Sequence, residues 1–139
     1  MTTARESYIQ GLIAVLEASP WFPAGVSRSV TVAFRREESP VLIVHRGAEE
    51  IENSLGDDTE RHCEILASVV SRAEAPDQEA DEVMEVAHPI IMQYSAPGIV
   101  LIEEVGTNAP VFAGADGGAC LVTTRYKIHY CTDRLSLSA

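Results

Sequence analysis

The chain has 139 residues, a hydrophobic fraction of 46% and a formal net charge of -11, which fits one domain with its own core. Lys and Arg together number ten, and Lys127 is the single lysine; nonspecific DNA affinity needs cations that displace phosphate counterions, so the composition argues against tight binding to DNA or to an anionic membrane. No stretch approaches the ~18–20 apolar residues of a membrane span, and the N-terminal segment with Arg5 and Glu6 lacks a signal-peptide apolar run, so a cytoplasmic protein is expected.

Residues Thr3 to Ser19 read as a helix, because Ile9, Leu12, Ile13 and Leu16 recur on one face. Thr3 and Glu6 stand in a capping-box relation, Gly11 is a mild internal cost, and Pro20 and Pro23 end the helix. Trp21-Phe22-Pro23 forms an apolar linker that plugs the sheet edge. A strand is expected over Ser29–Arg36, where Val30, Val32 and Phe34 alternate, followed by a turn at Glu37–Pro40 and a central apolar strand at Val41–His45 that closes a hairpin. Ala48–Glu60 shows no periodicity and reads as a long acidic loop. Strand character returns over Arg61–Arg72, with Cys63, Ile65, Ala67 and Val69 on one face and Leu66 and Val70 on the other.

A second helix is predicted over Asp77–Tyr94, with a stripe of Ala80, Val83, Met84, Ala87, Ile91 and Tyr94, acidic residues in its first half, and a kink at Pro89. Ile99–Val105 forms a strand, Gly106–Gly118 a second long loop containing Asp116, and Ala119–Thr132 the longest strand. On that last strand Cys120, Val122, Tyr126, Ile128 and Tyr130 face one way, and Arg125, Lys127 and His129 the other. The expected fold is α+β: a single domain over 1–139, in the order α-β-β-β-α-β-β, with two helices on one face of a mainly antiparallel or mixed sheet of about five strands.

The residue types that carry chemistry do not assemble into a catalytic signature along the chain. His62-Cys63-Glu64 is contiguous, but adjacent strand residues point to opposite faces; a catalytic pairing of Cys63 would need a distant partner such as His129, and a buried structural Cys63 is the simpler reading. Cys63, Cys120 and Cys131 form no CxxC pair and are odd in number, which fits a reducing compartment rather than a disulfide framework. His129 and Cys131 share a strand face, yet two ligands do not make a zinc site. His88 reads as a hydrogen-bonded structural histidine. Gly114–Gly118 lacks the Lys-Ser/Thr and the following helix of a phosphate loop, and Glu49, Glu50, Glu52, Asp57 and Asp58 lack calcium-loop spacing. No cofactor, metal or catalytic residue is therefore assigned, and a small metal- or ligand-binding α+β module stands as an alternative.

Across nearly its whole length the chain resembles the tail terminator (tail completion) proteins of long-tailed bacteriophages. The resemblance lies in the opening helix Ser7–Ile13, the apolar strand Pro40–Val44 leading into Gly47-Ala48-Glu49-Glu50, and the alternating strand Arg61–Arg72. It continues in the helix Glu79-Ala80-Asp81-Glu82-Val83-Met84 and the closing strand Thr124–Thr132. The resemblance implies a non-enzymatic protein that forms a hexameric ring on the head-proximal end of a tail tube. Its partners would be copies of itself, the tail tube protein and a head connector protein, with genome DNA passing through unbound. It would reside in the host cytoplasm during assembly and then in the virion tail; another head–tail joining or minor tail protein is the alternative. Candidate contact residues are Glu49, Glu50, Asp57, Asp58 and Asp116 in the two expected loops, and Arg125, Lys127 and His129, a basic stripe suited to acidic residues of a neighbour.

Overall fold

A computed structural model describes residues 2–20, 24–28, 40–54, 56–113 and 118–138. The Trp21-Phe22-Pro23 linker, the strand expected over Ser29–Arg36 with its hairpin, and Asp116 lie outside these residues. Helix α1 spans Ala4–Ala18, and its N-cap Thr3 accepts a hydrogen bond from the Glu6 amide at 3.3 Å. That satisfies one of the free amides of the first turn. The Glu6 carboxylate is engaged by Arg28 and by Gln10, which ties the helix to the segment after the first strand. Tyr8, Ile9, Leu12 and Leu16 are buried, the helical spacing that the sequence displays, with Tyr8 added to the stripe.

The strands are β1 (Gly25–Ser27), β2 (Val41–Asn53), β3 (Asp58–Arg72), β4 (Ile99–Thr107), β5 (Val111–Ala113) and β6 (Ala119–Asp133). Among the described residues they form one sheet in the order β1-β2-β3-β6-β4, with β5 also paired to β6. The β1–β2 pairing is parallel and the others are antiparallel, so the sheet is mixed. Helix α2, Pro76–Gln93, continues through Pro89. Pro89 is exposed, as is Glu85, whose carbonyl the proline leaves without an amide partner, so water can satisfy the lost bond.

Both long loops of the sequence reading are corrected. Ala48–Glu60 is mostly strand: β2 runs to Asn53 and β3 starts at Asp58, joined by a short turn in which Gly56 takes a positive φ of 77°. Gly106–Gly118 is likewise shortened, because β4 runs to Thr107 and β5 occupies Val111–Ala113. In both cases charged or exposed residues on a solvated strand hid the period-two pattern.

The core lies between the helices and one sheet face. Ile9, Leu12 and Leu16 of α1 and Val83, Ala87 and Ile91 of α2 cover Leu42, Val44, Cys63, Ile65, Val69, Tyr126, Ile128 and Tyr130. Burial along β3 and β6 alternates as the sequence predicts: Cys63, Ile65, Ala67 and Val69 face the helices, while Arg125, Lys127 and His129 face away. Each large buried aromatic places its hydroxyl on a partner. Tyr8 donates to the Pro97 carbonyl at 2.9 Å, Tyr126 meets His88 Nδ1 at 2.8 Å, and Tyr130 donates to Glu49. Gly11 is required by packing: a Cβ there would overlap the Tyr94 hydroxyl and lie 3.1 Å from its Cζ, so Tyr94 crosses α1 at this point.

Candidate functional site

A charged cluster sits at the inner edge of the core. The Glu49 carboxylate accepts from Arg5, from the Tyr130 hydroxyl and, at 3.4 Å, from Arg61 Nη1. Arg61 Nε in turn donates to Thr132 Oγ1 at 3.0 Å. The Glu49 and Arg61 side chains are each 10% exposed, so Glu49 is not the solvated loop acid of the sequence reading. The cause is a register shift between Arg46 and Glu49. Simple alternation from Leu42 and Val44 would turn Glu50 inward; the bulge inserts a residue, so Glu49 pairs with Cys63 on the core side and Glu50 pairs with His62 outside. Gly47 lies in this bulge, where any Cβ would collide with the Glu64 carboxylate. The cluster ties α1, β2, β3 and β6 together, with two guanidinium groups sharing the one Glu49 carboxylate.

The outer face carries the remaining predicted residues. Lys127 stands in register between Glu64 on β3 and Glu103 on β4, and His129 between His62 and Leu101. The imidazoles of His62 and His129 have centroids 3.6 Å apart. His62 Nε2 lies 3.2 Å from Glu60 Oε1 and its Nδ1 3.5 Å from Glu52 Oε1, while His129 Nε2 lies 3.2 Å from Glu103 Oε1. The basic stripe is therefore interleaved with in-chain carboxylates and is not an isolated patch. Arg125 crosses the strand at Gly106, where a Cβ would come within 2.9 Å of its Nη2, and its Nε is buried without a hydrogen-bond partner. Asp57 and Asp58 are exposed at the β2–β3 turn, where the Asp57 carbonyl accepts from the Arg134 amide at 2.7 Å. Glu60, His62 and His129 are the group that could hold a metal ion among the described residues. Sequence reading paired His129 with Cys131; the missing signal was the β3–β6 register, which sets His62 directly opposite His129.

Cys63 and His129 are on opposite faces of the sheet, so they cannot form a nucleophile–base pair. Burial, reinforced by the Glu49 charge, pushes the Cys63 thiol up to about 11, which keeps it protonated and inert. His88, bonded to Tyr126 and 3.7 Å from Glu104, lines a groove of about 680 Å³ between α2 and β4, with Asp77, Asp81 and Glu85 along its wall. The edge formed by β4 and β5 exposes Val100, Leu101, Val105, Val111 and Phe112. Such an apolar edge, which pairs with no further strand among the described residues, is a surface that another chain can cover.

No protein-family model and no curated protein matches the sequence. The fold is similar to that of a chain in the solved virion of a native gene transfer agent particle, with a TM-score of 0.64 and 11% sequence identity. The match covers 88% of this chain and 93% of that one, so the α+β architecture is shared over nearly the full length of both.

Proposed function

We propose that this chain is a non-enzymatic virion protein of a tailed phage or phage-derived particle, and that it acts as the tail terminator. In this role copies of the chain form a ring, a hexamer on the tail, at the head-proximal end of the tube. The ring stops tube polymerisation and offers a surface to the head connector, while the genome passes through its centre. The carrying observation is the near full-length likeness to a chain of a gene transfer agent virion. The exposed apolar edge of β4 and β5 supports self-association, since a ring joins different patches of neighbouring copies and must bury one such surface in each contact. Arg125, Lys127 and His129 on β6, next to β4, are the polar groups nearest that contact, while Glu50 on β2 and Asp57 and Asp58 at the β2–β3 turn lie across β6 from that edge and would meet a different patch of a neighbouring copy; Glu49 is committed to the internal cluster. An acidic wall along the groove suits a conduit that must release DNA.

The test is assembly with the gene removed. Loss of the chain should yield tubes of uncontrolled length, and added protein should restore fixed length with a ring visible at one end by negative-stain microscopy. Tubes of normal length that fail only to join heads would instead assign the chain to head–tail joining. Normal tails with normal head attachment would overturn both.

A further inference from the structure

We propose that Glu60, His62 and His129 form a zinc site on the outer face of the sheet, bridging β3 and β6. The register places His62 and His129 directly opposite each other, and their donor atoms and a Glu60 oxygen lie within 4.8 Å of one another. In a tetrahedral zinc site with metal–ligand bonds of about 2.0–2.1 Å, donors sit about 3.3 Å apart. The separation of His62 Nε2 from Glu60 Oε1, 3.2 Å, already matches that spacing. The third donor needs a small side-chain rotation, which the half-buried position of His129 permits.

The surroundings have the features of a ligand shell. Glu52 Oε1 faces the second nitrogen of His62 at 3.5 Å, the placement that fixes the tautomer and orientation of a metal-bound imidazole. Glu103, 3.2 Å from His129 Nε2, lies outside the donor group and is placed as the orienting partner of His129. Three carboxylates around two imidazoles leave a negative charge that a dication offsets. Two nitrogen donors select zinc and its transition-metal neighbours over magnesium and calcium, which prefer oxygen. Cys131, opposite Glu60 in register, is outside the donor group. The three donors are brought together by the β3–β6 register within one chain, so the site is independent of whether the chain closes a tail.

The experiment is zinc titration of tag-free, chelator-stripped full-length protein by calorimetry, with circular dichroism as the folding control for each variant. One zinc should bind per chain, with magnesium and calcium failing to compete. At a zinc concentration about one hundred times Kd, the melting temperature should rise by roughly 8 °C. His62→Ala, His129→Gln and Glu60→Gln should each weaken binding by about tenfold or more, whereas Cys131→Ser should leave it unchanged. The cobalt-substituted protein should lack a thiolate charge-transfer band. Absence of saturable binding, binding indifferent to both histidine variants, or binding lost in Cys131→Ser would each overturn the proposal.

Discussion

Glu49 offers the sharpest test of how the fold is held together. Replacing it with alanine removes the acceptor for Tyr130 and the counter-charge for both Arg5 and Arg61. The relevant comparison is between exposed ion pairs, which contribute about 0–1 kcal/mol, and buried ones, whose rupture costs about 3–5 kcal/mol because a charge is stranded. Glu49 and Arg61 are each 10% exposed, which places this pair near the buried class, while Arg5 at 21% retains more water and lowers the figure. The expected loss is therefore about 3 kcal/mol, or roughly 10 °C in Tm for a domain of this size. Tyr130→Phe removes only one hydrogen bond to a charged group and should cost about 1.5 kcal/mol. The two changes share a contact, so the double variant should be less destabilised than the sum of the singles. Glu50→Ala, one residue along on the outer face, is the control and should change stability by about 0.5 kcal/mol or less. Paired thermal and urea unfolding measures all four proteins. If Glu49→Ala melts like Glu50→Ala, the inward phase assigned to the bulge is wrong.

Gly11→Ala would ordinarily gain about 1 kcal/mol in a helix, but the overlap with the Tyr94 hydroxyl should reverse the sign, to a loss of about 1–3 kcal/mol. Tyr94→Phe in the same chain should recover part of that loss in thermal melts, because the nearest remaining atom is Cζ at 3.1 Å. A thiol reagent at neutral pH should modify Cys131 rapidly and leave Cys63 and Cys120 unreacted until the protein unfolds; rapid modification of more than one thiol would contradict the burial of the other two. Alkaline pH should destabilise the fold. Cys63 is raised from 9.0 to about 11, so between those values the folded chain retains a proton that the unfolded chain has lost; stability should hold below about pH 9 and fall as pH rises through about 11, and a flat profile in urea would contradict this. Val100→Lys with Phe112→Glu should leave Tm nearly unchanged while reducing self-association on tube ends by sedimentation and microscopy.

The elements that bury a regular stripe were readable in advance. Ile9, Leu12 and Leu16 marked α1, Val83, Ala87 and Ile91 marked α2, and the alternation in β3 and β6 assigned each residue to the correct face. Two physical circumstances hid the rest. The far half of β2, the last residues of β4 beyond Val105 and the short strand β5 are largely solvent-exposed, so no apolar periodicity announces them, and they resembled loops, whereas the body of β4 was read as a strand from Ile99 to Val105. A bulge changes the phase of a strand without leaving a mark in hydropathy, which is why Glu49 was grouped with Glu50 although they face opposite ways. The His62–His129 pairing was hidden for a different reason: they are far apart in the chain, and only the register of β3 with β6 makes them neighbours.

The two faces of the sheet divide the work. The inner face holds the apolar core, and even its charged members, Arg5, Glu49 and Arg61, are turned toward one another, so this side is committed to stability. The outer face and the β4–β5 edge are built differently: acidic and basic residues alternate across strands, two histidines touch, and five large apolar side chains remain in water. Leaving apolar groups exposed on a sheet edge opposes solubility and invites strand pairing, a liability that charged residues or a covering element usually suppress. Here Glu103 and Glu104 punctuate the edge without covering it. The net charge of -11 keeps isolated copies apart at long range through repulsion that salt screens within about 8–10 Å. If copies assemble by this edge as proposed, that repulsion favours a route in which something other than free diffusion brings them into register. In the proposed terminator role, a tube end that binds each copy in turn would supply that, and ring formation would then depend on the tube rather than on protein concentration.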